Sequence, residues 1–463
     1  MRTHEAGALH AGEADLPVGR PAPADLDTID PHVWPVGLER GADGALRMRG
    51  LDLRTVAESA GTPCYVVDEA DFRARARAFA DAFGADNVHY AAKAFCAVEL
   101  LRWVREEGLC LDVCSAGELA VALRAGFPPE QIGMHGNNKS PAELATAVAA
   151  GVGRVIVDSF AEIDRLATIA ETHGRRQQVL VRATVGVEAH THEFIATAHE
   201  DQKFGFSVAG GDALEAAREI AKRPSLELVG IHSHIGSQIF DTDGFEVSAR
   251  RAVGLLAAIR DELGLSLPIL DLGGGFGIAY RSEDDPVSAG RLARDLHEQV
   301  RSECDAARFP LPQVVVEPGR AIAGPGTLTM YRVGTVKPVE GRRTYVSVDG
   351  GMSDNVRTAL YGAAYTCALV NRVSSVPPIL CRVVGKHCES GDIIVRDTWL
   401  PGDIAPGDLL AVAATGAYCR SLASTYNHVP RPPVLAVRDG TARVIVRRET
   451  IEDLMRLDVE VAQ

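Results

Sequence analysis

The sequence lacks a basic surplus and long apolar runs. Its 463 residues carry 48 Lys and Arg against 62 Asp and Glu, a formal charge of −14, and this sign argues against a nucleic-acid-binding face. Anionic small ligands are not excluded, because local arginines can hold them in an acidic protein. No run approaches the roughly 20 apolar residues that a membrane span requires. The N-terminal stretch has no apolar core, so we expect no secretory signal.

Paired cysteines are also lacking. The cysteines number nine, an odd count, and no CxxC pair occurs among them. Their positions are scattered: Cys64, Cys96, Cys110, Cys114, Cys304, Cys367, Cys381, Cys388 and Cys419. A disulfide framework and a zinc site are therefore not expected, and a reducing cytoplasm fits this pattern.

The chain is too long for one ordinary domain. Hydrophobic residues make up 46% and charged residues 24%, which is typical of a globular protein with a large core. Residues 1–30 are rich in Ala, Gly, Pro and acidic side chains and predict a flexible arm. Short β-branched runs alternate with amphipathic segments over residues 61–325. Residues 326–463 read as strands and turns and predict a β-rich C-terminal domain.

Eight apolar runs mark the strands of the central region. They are VHYAAK (88–93), LDVCS (111–115), IGMHG (132–136), RVIVD (154–158), VLVRATV (179–185), LVGIHSHIG (228–236), ILDLGGG (269–275) and VVVEPG (314–319), with CYVVD (64–68) as a lead-in. Eight βα units favour an α/β fold of the (β/α)8 barrel type. An open, doubly wound sheet is the alternative architecture.

Polar and glycine-rich residues follow these runs. They are Lys93, Ser115, His135, His234, Gly273 to Gly275, and Glu317 to Arg320. In a barrel the carboxyl ends of the strands converge on one mouth, where active sites form. We therefore expect the functional residues there.

Lys93 ends an apolar run with no carboxylate beside it in sequence. The lysine could simply extend its ammonium to solvent. Alternatively, an amine in a partly desolvated pocket has a lowered pKa and can attack a carbonyl. Pyridoxal 5'-phosphate (PLP) would be the carbonyl partner, and it would also need a phosphate cradle and a partner for its pyridine nitrogen.

Three motifs could supply those parts. The glycines of DLGGGFGI (271–278) let backbone N–H groups approach an anion, although such a turn can also be purely structural. In VVVEPGR (314–320), Glu317 could pair with a protonated pyridine nitrogen and Arg320 could bind a carboxylate, unless both form a surface ion pair. In HSHIGSQ (232–238), His234 could lie against a flat ring and Ser237 could bond a phosphate.

The second domain carries three further motifs. GKHCESGD (385–392) places Cys388 beside Glu389 in a polar loop, where a thiol could donate a proton rather than fill a core. DNVRTALYGAAY (354–365) places Arg357 and Tyr361 four residues apart, on one face of a helix. ATGAYCRS (414–421) offers Tyr418 in a glycine-containing turn.

Together these motifs resemble the fold-type III PLP-dependent decarboxylases and, within them, the diaminopimelate decarboxylase family. The resemblance runs from about residue 60 to 430. It is carried, in the family's order, by HYAAKA, HGNNKS, HTHEFIATAHEDQKFGFS, HSHIGSQ, LDLGGGFGI, VVEPGR, DNVRTALYGA and GKHCESGD. It implies an alanine racemase-like barrel followed by a β domain that residues 31–60 join. It also implies a homodimer whose active site is shared across the interface.

The resemblance also implies a role for each matching residue. Lys93 would be the Schiff-base lysine, His234 would stack on the cofactor ring, and Glu317 would pair with the pyridine nitrogen. Ser237, Gly274, Gly275 and the turn through Gly319 and Arg320 would contact the phosphate. Arg320, Arg357 and Tyr361 would hold the distal carboxylate of the substrate, Glu389 its distal ammonium, and Tyr418 would touch both cofactor and substrate. Cys388 of the partner subunit would be the proton donor.

The implied reaction removes CO2 from the D-centre of meso-2,6-diaminopimelate and gives L-lysine, the last step of lysine biosynthesis. A decarboxylase of ornithine or arginine is one alternative, and we would expect it to prefer acidic groups over Arg357. A non-catalytic regulator would have lost Lys93 or Cys388, and a racemase would need a second base, usually tyrosine. We expect a cytoplasmic enzyme without a metal, nucleic-acid or membrane partner.

Overall fold

The computed structural model describes residues 22–186, 203–241 and 243–459. Two compact units divide the chain. The barrel unit comprises Arg73–Ile278 and Asp285–Ile322, and the β unit comprises the segment up to Phe72, Ala279–Asp284 and the segment from Ala323 onwards. Most of the expected N-terminal arm lies outside the described residues, as does HTHEFIATAHEDQKFGFS as far as residue 202.

Strands occur throughout both units, and most of them are short. In chain order they are β1 (Leu38–Arg40), β2 (Leu46–Met48), β3 (Leu51–Asp52), β4 (Cys64–Asp68), β5 (His89–Ala91), β6 (Cys110–Val113), β7 (Ile132–Met134), β8 (Arg154–Val157), β9 (Gln177–Thr184), β10 (Phe206–Ser207), β11 (Leu226–His232), β12 (Ile269–Asp271), β13 (Gln313–Val315), β14 (Thr327–Pro338), β15 (Thr344–Val348), β16 (Cys367–Leu369), β17 (Pro378–Val384), β18 (Ile393–Pro401), β19 (Leu409–Val412), β20 (Val434–Arg438) and β21 (Thr441–Val446).

The longer helices belong to the barrel unit. The helices are α1 (Leu53–Ala60), α2 (Glu69–Phe83), α3 (Val98–Glu106), α4 (Ala116–Arg124), α5 (Pro141–Ala150), α6 (Phe160–Thr172), α7 (Asp212–Ala221), α8 (Asp243–Leu263), α9 (Ala289–Ala307), α10 (Arg320–Ala323), α11 (Arg357–Tyr361) and α12 (Ile451–Met455). Among the described residues, no helix is both long and apolar enough to cross a membrane.

Eight parallel strands of the barrel unit form a closed cylinder. Hydrogen bonding runs in the order β13-β12-β11-β9-β8-β7-β6-β5, and β10 pairs only with β9. A parallel bridge between Val88 and Val316 joins the first strand to the last. There the His89 N–H donates to the Val316 carbonyl and the Val316 N–H donates to the Asn87 carbonyl, each at 2.9 Å. The predicted (β/α)8 barrel is confirmed, and the open-sheet alternative is wrong.

Three consecutive crossovers begin with the same helix cap. The side chains of Ser115, Ser140 and Ser159 accept hydrogen bonds from the backbone N–H three residues later, which in each case belongs to a glutamate. This Ser-x-x-Glu pattern satisfies orphan N–H groups of the first turn. Each strand therefore stops and its helix starts within a few residues, so that the intervening loops stay close to the barrel mouth.

The barrel interior changes from apolar to polar along the strands. Ile156, Leu180, Val229, Ile269 and Val315 form one buried apolar cluster. Two positions further along the chain from Leu180, Ile269 and Val315 stand Arg182, Asp271 and Glu317. Alternate residues of a strand share one face. The apolar layer therefore lies beneath charged side chains at the carboxyl ends of the strands.

The β unit is built around a mixed sheet. Its strands are ordered β18-β17-β15-β14-β4-β20-β21, with β19 pairing with β14 and β16. The stretch Cys64–Asp68, which precedes the barrel strands in the chain, lies between β14 and β20 and is buried at all five positions. Strands β1 to β3 form a small separate sheet. The Leu46 N–H of that sheet donates to the Val370 carbonyl at 2.8 Å.

A buried ion pair joins α6 to the loop that follows β7. Lys139 Nζ lies 2.7 Å from Glu162 Oε1, and the two side chains are 1% and 2% exposed. The ammonium also donates to the Ile156 carbonyl at 2.8 Å. Such a pair is costly to break from one side only, because the remaining charge stays buried.

We expect Lys139→Met to lower the free energy of unfolding of the chain by about 3–5 kcal/mol, because Glu162 would be left buried and unpaired. The double variant Lys139→Met, Glu162→Gln should recover much of that loss. Lys222→Met is the matched control, since its ion pair with Glu219 is exposed and should contribute at most about 1 kcal/mol. Urea-induced unfolding measures all three, and an equal effect of Lys139→Met and Lys222→Met would contradict the prediction.

Candidate active site

Lys93 lies on a single 3-10 turn, Ala92–Ala94, directly after β5. Its side chain is exposed, whereas Ala92 and Ala94 on either side are buried. The Tyr90 hydroxyl donates to the Phe95 carbonyl at 3.0 Å and thereby closes the turn. The amine is therefore presented on a fixed backbone at the carboxyl end of the first barrel strand.

Gly319 brings the end of the last strand against this turn. A Cβ at position 319 would lie 3.0 Å from the Ala91 carbonyl oxygen and from the Cβ atoms of Ala91 and Ala94. Only a residue without a side chain allows such an approach without displacement. The segment from Glu317 to Arg320 is therefore packed beside the Lys93 turn.

The glycine turn after β12 fits closely between two neighbouring turns. A Cβ at Gly274 would lie 2.2 Å from the Glu317 carbonyl oxygen, and a Cβ at Gly275 2.3 Å from the Gly236 carbonyl oxygen. Gly275 also has a φ of +99°, which residues with a side chain rarely adopt. The turn after β11 and the turn after β12 therefore form one continuous backbone surface at the barrel mouth.

His234, Ser237 and Arg320 lie along this surface. The Gly274 N–H donates to His234 Nδ1 at 3.2 Å, and Arg320 Nη2 donates to Ser237 Oγ at 2.8 Å. Burial, together with the positive charges of Lys93 and Arg182, holds the pKa of His234 well below its usual value. The ring is therefore neutral, with its proton on Nε2 because Nδ1 accepts a hydrogen bond.

Glu317 is the most enclosed carboxylate at the mouth. His135 Nε2 and His232 Nε2 each lie 3.1 Å from Glu317 Oε1, and these three side chains are between 1% and 7% exposed. The two imidazoles meet edge to face, with ring centroids 5.1 Å apart. Burial alone would raise the pKa of Glu317, but His135 and His232 hold it well below its usual value.

The contacts of His135 continue away from Glu317. His135 Nε2 lies 3.5 Å from Asp112 Oδ1, and His89 Nδ1 lies 2.9 Å from the same oxygen. Gly133 leaves room for this contact, since a Cβ there would lie 2.5 Å from Asp112 Oδ1. We call His89, Asp112, His135, His232 and Glu317 the histidine–carboxylate network.

The charges of the network cancel. Burial opposes ionisation of His89 and His135, but the adjoining carboxylates raise the pKa of each to about 10. Because these values lie above the unfolded value near 6.5, this stabilisation is complete below pH 6.5 and is lost as the pH rises through about 10. Two imidazolium ions thus face the carboxylates of Asp112 and Glu317. Burial lowers the pKa of His232, so that ring is neutral, and burial also raises the pKa of Asp271 well above its usual value.

His135, His232 and Glu317 could hold a cation by geometry alone, since one ligand atom from each lies within 4.8 Å of the others. Both imidazoles already face Glu317 Oε1 at 3.1 Å, so direct histidine–carboxylate contacts account for this cluster.

The sequence predicted the residues at the barrel mouth but not the polar residues inside the barrel. Asp112, Arg182, His232 and Asp271 went unassigned, and His89 was noted only as part of an apolar strand. Each is a polar residue inside a run that otherwise predicts a buried parallel strand. A charge in such a run must face a partner inside the barrel, and this signal could have found all five.

In the β unit, Arg357 is held by two tyrosines. Its Nη1 donates to the Tyr280 hydroxyl at 2.8 Å and to the Tyr365 hydroxyl at 2.6 Å. The guanidinium also lies over both rings, with its carbon 5.1 and 5.7 Å from their centroids. Arg357 is 6% exposed, so its orientation is fixed from within the unit. Tyr361, at the end of α11, is half-buried.

Cys388 and Glu389 stand on a loop that is anchored on both sides and exposed at its tip. His387 is buried. Its Nε2 lies 2.8 Å from Ser353 Oγ, and its Nδ1 lies 3.1 Å from Asn427 Oδ1. Its N–H donates to Asp392 Oδ2 at 2.7 Å. Cys388 and Glu389 are exposed, and the cysteine is a free thiol, as are the other eight. The thiol and the carboxylate are therefore displayed on a rigid base.

Tyr418 sits in a strained turn. Its φ is +67°, and that of Ala414 in the same turn is +55°. A Cβ at Gly416 would lie 1.8 Å from the Ala323 carbonyl oxygen, so the turn packs against the end of α10. Backbone strain at a residue with a side chain is typical of functional sites.

Comparison with known proteins identifies the family. The family described as pyridoxal-dependent decarboxylase, pyridoxal binding domain, matches residues 69–324, which is more than half of the chain. This match accounts for the cofactor, pyridoxal 5'-phosphate.

Curated relatives extend the match to nearly the full chain. Diaminopimelate decarboxylase from Mycobacterium tuberculosis is 60% identical over 444 residues, 94% of this chain and 99% of that protein. The Mycobacterium leprae enzyme is 56% identical over 471 residues, 99% of this chain and 100% of that protein. The crystal structure of the Helicobacter pylori enzyme complexed with L-lysine superposes with a TM-score of 0.81 at 30% identity, covering 88% of this chain and 99% of that one. The chain belongs to the diaminopimelate decarboxylase family of pyridoxal-dependent decarboxylases.

Proposed function

We infer that the chain removes CO2 from meso-2,6-diaminopimelate and releases L-lysine, with PLP as cofactor. The observation that carries this inference is the barrel mouth. An amine, a neutral imidazole, a glycine-lined backbone surface and a buried, ionised carboxylate occur together at the carboxyl ends of the same eight strands. No single one of these features requires PLP, but the set matches its separate parts.

The residues at the mouth fit PLP group by group. Any side chain at Gly274 or Gly275 would collide with the Glu317 or Gly236 carbonyl, so close packing of the neighbouring turns fixes the position of this backbone. With Ser237, Gly319 and Arg320 it would hold the phosphate. Glu317, kept ionised by two histidines, would hold a protonated pyridine nitrogen, and the neutral ring of His234 would lie against the cofactor face.

The chemistry divides between cofactor and protein. When bound, PLP supplies the electron sink that lets the bond to the carboxylate break. Lys93 would hold the cofactor between turnovers and give way to the substrate's amino group. Glu317 would keep the proton on the ring nitrogen, which maintains the sink. Cys388 Sγ–H would protonate the α-carbon after CO2 leaves.

The β unit would select the substrate. Arg357 presents a guanidinium fixed by Tyr280 and Tyr365, and Arg320 and Tyr361 would bind the distal carboxylate with it. Glu389 would bind the distal ammonium, and Tyr418 would touch both cofactor and substrate. A decarboxylase of ornithine or arginine has to bind a distal cation alone, and a buried arginine such as Arg357 would repel that cation.

We propose that the enzyme works as a homodimer in the cytoplasm, with Cys388 acting in the partner subunit's site. The exposed thiol and carboxylate on an anchored loop support the dimer, because a proton donor needs a partner to exclude water from it. Nine free cysteines support a reducing compartment.

The primary test is CO2 release by the purified protein with PLP. We expect release from meso-diaminopimelate with accumulation of L-lysine, and none from L-ornithine, L-arginine or L-lysine offered in parallel. Release from ornithine or arginine would reject the roles of Arg357 and Glu389. PLP binding without any release would favour a regulator.

Mixing variants tests the shared site. Lys93→Ala should not form the covalent link to PLP, and Cys388→Ala should keep PLP but turn over slowly. If each site draws on two subunits, denaturing and refolding the two variants together should restore up to about a quarter of wild-type activity, because half of the dimers are mixed and each has one intact site. Refolded wild-type protein is the control, and no recovery in a refolded mixture would reject the shared site.

Tyr365→Phe should weaken substrate binding more than chemistry. Loss of one hydrogen bond to a buried guanidinium costs about 1.5 kcal/mol or more, so we expect KM for diaminopimelate to rise roughly tenfold with little change in kcat. Tyr345→Phe, on β15 of the same unit, is the matched control. Steady-state kinetics measure both, and a fall in kcat at constant KM would contradict the positioning of Arg357.

A further inference from the structure

We propose that His135, backed by Asp112 and His89, is a positioning residue that keeps the Glu317 carboxylate ionised and correctly placed, with His232 completing the hold. This inference rests on the proposed function, where Glu317 serves the pyridine nitrogen. It assigns a role to four buried residues that do not themselves contact cofactor or substrate in that proposal.

The positions of His135 and His232 in the barrel support this role. His135 follows β7 and His232 ends β11, neither of which neighbours β13 in the barrel. Both nonetheless bring Nε2 to 3.1 Å from the same Glu317 oxygen. The backbone of His135 is fixed as well, since its N–H donates to the Val113 carbonyl at 2.8 Å. Two imidazoles from separate strands therefore face one oxygen of the carboxylate.

The second support is the order of charges. Asp112 and Glu317 are buried carboxylates in one enclosed space, and unrelieved repulsion would force one of them to take up a proton. His135 lies between them, at 3.5 Å from the first and 3.1 Å from the second. His89 neutralises Asp112 from the far side at 2.9 Å. Cation and anion thus alternate from His89 through Asp112 and His135 to Glu317.

The other elements around His135 do not replace this arrangement. The charged and titratable groups in the same part of the barrel are His89 on β5, Asp112 on β6, Glu118 on α4, Arg182 on β9, His232 on β11, Asp271 on β12 and Glu317 after β13. Arg182 is 12% exposed and its Nε lies 3.8 Å from Asp158 Oδ2; its charge also acts on Glu317, but no ion pair joins it to Asp112 or Glu317 as His135 is joined to both. Removal of His135 would therefore leave Asp112 and Glu317 without the cation between them.

Loss of the negative charge on Glu317 would affect the cofactor through the proton on its pyridine nitrogen. A neutral Glu317 carboxyl cannot hold the proton on a pyridine nitrogen, and the ring then withdraws electrons less strongly. Each pKa unit lost at that nitrogen reduces its protonated fraction tenfold once it titrates in the working range. Substitution of His135, which would act on the substrate only through Glu317 and the cofactor, should thus lower kcat without greatly changing KM.

The test compares His135→Gln with the double variant His135→Gln, Asp112→Asn. In protein loaded with PLP that carries 15N at the ring nitrogen, we expect the wild-type nitrogen to be protonated at pH 8. The single variant should lose that proton and at least roughly tenfold in kcat. The double variant should regain part of both, because it removes the carboxylate that repels Glu317. If His135 has only a structural role, the double variant should lose still more kcat than the single variant. That result would overturn the proposal.

Lys139→Met is the matched control, since it breaks a buried ion pair of the same barrel outside the network and should leave the ring nitrogen protonated. A ring nitrogen that stays protonated in His135→Gln would overturn the proposal while leaving the proposed function intact. Failure of the wild type to bind PLP would reject the proposed function instead. In that case, 15N-histidine NMR of the cofactor-free chain still tests the network, because a neutral His135 at pH 8 would overturn it.

Discussion

Closure of the barrel is the constraint on which the rest of the structure depends. The hydrogen bonds around Val88 and Val316 join the first strand to the last, and only then do eight carboxyl ends face one mouth. Closure also removes water from the interior, so every charged side chain that points inward must find a partner within the cylinder. Catalytic geometry and electrostatic balance therefore follow from the same event.

The barrel interior changes from apolar to charged towards the carboxyl ends of the strands. Apolar side chains fill the cylinder below, and the histidine–carboxylate network lies above them. Glycines at positions 133, 274, 275 and 319 let neighbouring segments approach closely enough for these contacts to form. A side chain at any of these four positions would collide with a neighbouring strand or turn.

In the β unit, the candidate site residues stand on short turns, loops and one short helix. Aromatic hydroxyls fix the guanidinium of Arg357, and a buried imidazole and carboxylate anchor the loop that displays Cys388. In both cases buried polar contacts do the positioning: they hold the Arg357 guanidinium directly, and they anchor His387 next to the exposed Cys388. The five-residue helix α11 can therefore hold Arg357 in one orientation, because that orientation does not depend on the helix alone.

The sequence by itself determined the strand runs, the barrel and most of the residues at its mouth. Periodicity, glycine placement and the motif order were enough for these, because they are local properties of the chain. Lys93, His234 and Glu317 could be placed at strand ends without coordinates. The network behind Glu317 could not, since its members come from strands that are distant in sequence and only closure of the barrel brings their side chains within 3.5 Å. The partnership of Arg357 with Tyr280 and Tyr365 was likewise decided by tertiary structure, because 77 residues separate Tyr280 from Arg357.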